Sequence, residues 1–132
     1  AYLVQYGSKF LAVMNPKTGS LTDSIDLSAY AASDNNGVPT MCAGVIVGNH
    51  LYVALQRLNA SWTADSSSVV VIDITTDKVV KNIRLAANNP QGLTVIGSKL
   101  YVACTGVYNS NDAGLTCITV PGADSILSRN MV

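Results

Sequence analysis

An all-β fold built from repeated antiparallel sheets is predicted by three features of the sequence. The chain repeats itself: residues 41–54 (MCAGVIVGNHLYVA) lie over residues 90–103 (PQGLTVIGSKLYVA) at an offset of 49. Gly48/Gly97, Leu51/Leu100, Tyr52/Tyr101, Val53/Val102 and Ala54/Ala103 are identical. Residues 13–27 align with 71–85 at an offset of 58, so the loops differ in length while the strands do not. Apolar residues come in short runs rich in Val, Ile and Tyr, bounded by Gly, Asn, Asp or Ser, which is the pattern of strands. No window holds the i, i+3, i+4, i+7 spacing of a helix, and residues 28–32 allow at most one turn.

Taken in order, the middle unit reads as four strands, A to D, at 42–47, 50–55, 68–74 and 79–85. The following unit repeats them at 91–96, 99–104, 114–120 and 125–131. Ahead of both, residues 2–6, 9–15 and 20–27 match B, C and D, because Asn15-Pro16-Lys17-Thr18-Gly19 fits the C–D connection. A rival register makes Gly7-Ser8-Lys9 an A–B turn like Gly97-Ser98-Lys99; the downstream match through Leu27 argues against it. Continuous runs such as VVVI and GLTVI predict that strands A to C are covered on both faces. The D strands alternate instead, Ile83 and Leu85 against Asn82 and Arg84, as a polar outer edge requires.

Four-stranded sheets of this kind, about 49 residues each, describe β-propeller blades. The eleven strands make about 2.75 blades: an incomplete ring, read as one partial propeller region over 1–132. Residues 1–27 form a blade lacking its innermost strand, and 41–85 and 90–132 form complete blades. A closed ring needs about four. The chain is therefore expected to be a piece of a larger propeller, to be completed by other chains, or to form an open stack with adhesive ends.

Composition narrows the function. Eight Lys+Arg balance eight Asp+Glu, and charged residues are 12% of the chain against a usual ~25%. With 48% apolar residues and a mean hydropathy of +0.31, this excludes disorder, an acidic tail and a nucleic-acid partner drawn by bulk charge. No run approaches the ~18–20 apolar residues of a membrane span. The opening AYLVQYG has no initiator Met and no charged or apolar leader, so a targeting segment is expected to be absent or already removed.

LYVA at 51–54 and 100–103, with VVVIDITTDKVVKNIRL at 69–85, resembles the YVTN-type β-propeller repeats of bacterial surface and periplasmic proteins. IDLSAYAASDNNGVPTM at 25–41 through LYVALQRLNASWTADSSSVVVID at 51–73 is similar to a secreted or lipoprotein propeller group. The resemblance implies a ring of about six to eight blades with no assigned enzymatic activity and no cofactor. It also implies an extracellular, cell-surface or periplasmic location, with lipoprotein anchoring in the full-length form. The third unit departs from the pattern, with Thr119-Val120-Pro121-Gly122-Ala123-Asp124 in place of an Ile-Asp-Thr turn.

In an antiparallel meander the B–C and D–A connections share one end of the sheet. The long connections, 28–40, 56–67 and 105–113, with 86–90 of medium length, all fall there. The other end has tight turns at Gly48-Asn49, Gly97-Ser98 and 75–78. Long loops on a rigid scaffold are the usual binding surface. The candidates are Asp34, Asn36, Arg57, Asn59, Trp62, Asp65, Tyr108, Asn111 and Asp112, beside Asn35, Asn88, Asn89 and Asn109. The alternative is Asx-rich turns that satisfy their own backbone. Trp62, in a polar loop, either folds back over the sheet edge as a small satellite core or anchors a partner by stacking on a sugar or an aromatic. Asn59-Ala60-Ser61 is a glycosylation sequon only under eukaryotic secretion.

Other chemistry finds little footing. Asp34-Asn35-Asn36-Gly37 and Asn109–Gly114 lack the alternating acidic ligands of a calcium loop. No CxxC or Cys/His spacing points to zinc. A B–C hairpin register summing to 221 would set Cys104 opposite Cys117, where a disulfide would be worth ~3 kcal/mol. Their counterparts, Leu55 and Val71, are apolar, so two buried thiols are the alternative; the secreted-family resemblance favours the bond. Cys42 is left over. The single His50 aligns with Lys99 in a tight turn, which removes triads and His metal clusters, and Asp73, aligned with Asn15, caps a turn. The strand A starts, Met41-Cys42-Ala43 and Pro90-Gln91-Gly92, carry no charge toward a central channel. The sequence thus reads as a non-catalytic scaffold whose partner is another protein or the remaining blades. Its rivals are a structural subunit of a multi-chain assembly and a fragment of a propeller enzyme with its catalytic residues elsewhere.

Overall fold

The structure is a computed structural model and describes residues 1–120. The strand expected at 125–131 and the turn at 121–124 lie outside the described residues. Among the described residues ten strands form three antiparallel sheets, each in chain order. The first contains β1 (Tyr2–Leu3), β2 (Phe10–Met14) and β3 (Leu21–Asp26). After one 3-10 turn at Ser28–Tyr30 comes a second sheet of β4 (Met41–Val47), β5 (His50–Leu55), β6 (Ser68–Asp73) and β7 (Lys78–Arg84). The third contains β8 (Pro90–Ile96), β9 (Lys99–Cys104) and β10 (Gly114–Thr119). β1 stops at Leu3 rather than residue 6, because the chain turns where the Ser8 N–H donates to the Gln5 carbonyl at 3.2 Å.

The repeat is visible in the hydrogen-bond registers. The β4–β5 ladder shifts between Met41 and Ala43, and β8–β9 shifts between Pro90 and Gly92, 49 residues on. The β2–β3 ladder shifts between Val13 and Met14, and β6–β7 between Val71 and Ile72, 58 residues on. Bulges add twist and re-aim side chains, so their recurrence sets β1, β2 and β3 in the places of β5, β6 and β7. The turns agree. Asn15 Oδ1 accepts the Lys17 N–H at 2.9 Å, and Asp73 Oδ1 accepts the N–H and hydroxyl of Thr75 at 2.8 and 2.6 Å. These bonds hold the Asp73 carboxyl below its ordinary value, the Thr75 hydroxyl contributing most.

Strand alternation sends successive side chains to opposite faces, and two apolar layers result. Leu11, Ile25 and Leu27 of the first sheet pack on Leu51, Val53, Leu55, Val70 and Ile72 of the second. The other face of the second sheet, Tyr52, Ala54, Val69 and Val71, packs on Leu100, Val102, Cys104 and Ile118 of the third. Each buried Leu, Ile or Val contributes about 1.5–3 kcal/mol. β3 and β7 keep one buried residue each, Ile25 and Ile83, among exposed or half-covered neighbours, as an outer edge should.

Coverage of both faces holds for β5 and β6 but not for all inner strands. β4 and β8 alternate between half-buried and exposed positions, and Ala103 in β9 is exposed. Among the described residues β4 and β8 are sheet edges with no strand paired on their inner side, and on the outer face of the third sheet Cys117 is buried while Tyr101 is half-buried and Ala103 exposed.

Candidate functional site

The long loops meet at one end of the sheets, and polar side chains tie them together. In the loop after β5, Leu58 and Ala64 form a bridge with both side chains buried. Asn59 Oδ1 accepts the N–H groups of Ser61 and Thr63 at 3.0 and 2.9 Å, while the Asn59 N–H donates to the Thr63 carbonyl at 2.9 Å. The resulting knot holds Trp62 at the tip, at φ +60°, its N–H donating to the Asn59 carbonyl at 2.9 Å. Trp62 is 75% exposed. It forms no satellite core, because the Asn59 knot turns the indole away from the sheet edge.

The loop after β3 closes against this one. Asn35 Nδ2 donates to the carbonyls of Val38 and Leu58 at 3.2 and 2.8 Å, and Thr40 Oγ1 accepts the Leu58 N–H at 3.2 Å. Arg57 is a strut: Nη1 reaches the Ser66 carbonyl at 2.9 Å and Nη2 the Ala31 carbonyl at 3.3 Å. Between the loops lies a concavity of about 230 Å³ lined by Asp34, Asn35, Asn36, Asn59, Ala60 and Trp62. Of the residues singled out from sequence, Asp34, Asn36, Asn59 and Trp62 are thus brought together. Arg57 is spent on holding the loop, and Asp65, an acceptor for the Ser66 hydroxyl at 3.1 Å, lies outside the concavity.

Asp112 is also structural. Its carboxylate accepts the Val107 N–H at 2.8 Å, Asn88 Nδ2 at 2.8 Å and the Ser110 hydroxyl. Partial burial, the largest single influence, raises its pKa, but the three bonds together bring it below the ordinary value. Asn88 Oδ1 in turn accepts the Ser67 N–H at 3.2 Å, so this pair ties the loop after β9 to the second sheet. Tyr108, 91% exposed, and Asn111, also exposed, sit on that loop and do not line the concavity.

Two residues that sequence reasoning passed over, Gln56 and Ser67, are the buried centre of this end. Gln56 Nε2 donates to the Pro90 carbonyl at 3.1 Å, and Ser67 Oγ donates to the Gln56 carbonyl at 2.8 Å while accepting the Asn89 N–H at 2.9 Å. Polar residues directly abutting apolar strands were the available signal.

The cysteines form no disulfide; all three are free thiols. Cys104 pairs with Gly114 and Cys117 with Tyr101, so the register sums to 218 rather than 221. Three residues of offset is ~10 Å along a strand and places the side chains on opposite faces, beyond the ~4.4–6.8 Å Cα separation of a disulfide. Burial pushes the Cys42 thiol up to about 12, with Cys104 beside it, and Cys104 up to about 11. Neither is a ready nucleophile. His50 pairs with Asp73 at the opposite, tight-turn end.

A larger concavity of about 550 Å³, lined by Gln91, Ala103, Thr105, Ala113 and Leu115 among others, lies on the outer face of the third sheet at the base of the loop after β9. Another, of about 360 Å³, runs beside β1 against Gly44 and Val45 of β4. The first is a mostly apolar hollow on the third sheet itself and the second a mostly apolar gap between the first and second sheets. Among the described residues no three or more His, Cys, Asp or Glu gather as a metal site, and no helix is long and apolar enough to cross a membrane. No family model and no curated protein matches this chain.

Proposed function

We propose that the three sheets are blades of an incomplete β-propeller of YVTN type, acting as a non-catalytic binding scaffold in the bacterial cell envelope or outside the cell. The observation that carries the reading is the division of labour among the long loops. Arg57, Asn35, Asn88 and Asp112 spend their polar groups on loop structure. Trp62 and Tyr108 are left 75% and 91% exposed at the same end. Large aromatics that the fold does not use for packing, presented on a braced surface, are anchors for a partner. The inner strand starts, Met41-Cys42-Ala43 and Pro90-Gln91-Gly92, add no charged group. The location follows from the resemblance alone, as does anchoring of the full-length form as a lipoprotein.

Co-sedimentation with purified bacterial envelopes tests it. The chain is expected to pellet, Trp62→Ala with Tyr108→Ala to lose about tenfold in retention, and Asn49→Ala at the tight-turn end to behave as wild type. Equal retention of all three would overturn the reading. A second reading, a subunit completed by other chains, is favoured by the uncovered third sheet: Ala103 is exposed where its counterpart Ala54 is fully buried.

A further inference from the structure

We propose that the concavity between the loops after β3 and β5 is a saccharide site, one pyranose ring stacking on the indole of Trp62 with its hydroxyls bonded by Asp34, Asn36 and Asn59. The inference rests on the reading of the long-loop end as the binding surface and names the ligand class for it. Its space, about 230 Å³, equals about eight waters at ~30 Å³ each, which suits a single sugar ring.

Three features of the lining select this chemistry. A pyranose has an apolar C–H face and a rim of hydroxyls that both donate and accept. Trp62 supplies an exposed aromatic face, and it is held at φ +60°, a conformation unusual for a bulky side chain and tolerated where a site is pre-organised. The rim is met by amides, which donate and accept, and by one carboxylate, which accepts. Among the described residues the Asp34 and Asn36 side chains and Asn59 Nδ2 carry no internal hydrogen bond, whereas Asn59 Oδ1 and Asn35 Nδ2 are already committed to the loops. The free polar groups are therefore those facing a guest.

The lining also rejects other guests. It contains no Lys, Arg or His, and Arg57 nearby is held by two backbone carbonyls, so a phosphate would face the Asp34 carboxylate with no cation in the lining to offset the repulsion. An apolar peptide side chain would bury the amides without pairing them, at a cost. A neutral sugar satisfies both halves of the site. A single ring is expected to bind weakly, with Kd on the order of 1 mM.

Trp62 is the only tryptophan in the chain, so intrinsic fluorescence reports the site directly. Neutral methyl hexopyranosides and N-acetylhexosamines, titrated one at a time, should include at least one that shifts the emission saturably. That sugar should also move the Asn59 side-chain amide signals in nitrogen-15 correlation spectra. Trp62→Ala should abolish the amide shifts, Trp62→Phe retain them, and Asn36→Ala weaken binding about tenfold. Absence of a saturable shift with every sugar overturns the proposal, as does saturation by adenosine alone. Envelope retention that depends on Trp62 but is competed by none of the sugars overturns the saccharide class and leaves the binding surface standing. Retention indifferent to Trp62 and Tyr108 overturns the surface itself.

Discussion

Tyr52 and Tyr101 hold the same place in successive sheets, yet Tyr52 is fully buried and Tyr101 is not. Ala54 and Ala103 differ the same way, the first inaccessible and the second exposed. The local sequences are identical over LYVA, and both strands pair with the same register on their inner neighbours. What differs is the layer outside: Leu100, Val102 and Ile118 pack on the Tyr52 face of the second sheet, whereas on the matching face of the third Cys117 is buried but Tyr101 is half-buried and Ala103 exposed. Burial here is decided by the adjacent sheet, so identical segments carry very different energies.

The largest expected effect breaks that symmetry. Tyr52→Ala is expected to cost about 3–5 kcal/mol, as for other buried aromatics, and Tyr101→Ala about 1 kcal/mol or less. Urea unfolding curves for the two variants check this; equal losses would mean that the two faces are equally covered.

A second contrast lies on the covered side. Val70 in β6 and Thr116 in β10 are counterparts, both buried, but Thr116 Oγ1 has no hydrogen-bond partner among the described residues. Thr116→Val should therefore stabilise by about 1 kcal/mol, since it removes a buried hydroxyl that is not compensated. A melting temperature that falls in the variant would count against it.

The two loops after the B strands form a third pair. One is knotted by the neutral Asn59, the other by the Asp112 carboxylate. A carboxyl whose folded pKa is depressed adds stability above its unfolded pKa, and that stability is lost as pH falls through the folded value. The ordinary value is 3.8 and the folded one lies below it. Acid should thus speed amide exchange at Val107 and leave Thr63, bonded to Asn59, unchanged relative to the intrinsic rate. Asp112→Asn should remove the difference. This effect is the smallest, because the carboxylate is largely solvated.

Much of this was legible in the sequence. The offsets of 49 and 58 located nearly every described strand, because strand periodicity and turn residues are local signals; the bulges recur at the same offsets but were not foreseen. β5 and β9 begin and end where they were expected. The loop end was half legible: Asn and Asp on the long connections marked the end where the loops meet, but which of them bond the backbone depends on the neighbouring loop. Asp112 shows this, being held by Asn88 from another connection. The cysteine pairing failed although the information was present. Leu55 and Val71, the counterparts of Cys104 and Cys117, pair with Ser68 and Tyr52 and not with each other. Coverage of strand A failed for a physical reason: an apolar run records what a sheet can bury, and only a neighbouring sheet decides whether it does.

The central claim is that the third sheet ends in an adhesive face meant to be covered by another sheet. Light scattering on the isolated chain tests it most directly. Self-association above 13.8 kDa is expected, with Ala103→Glu and Leu115→Glu together returning a single species of that mass. A wild-type chain that runs as a clean 13.8 kDa monomer would contradict it.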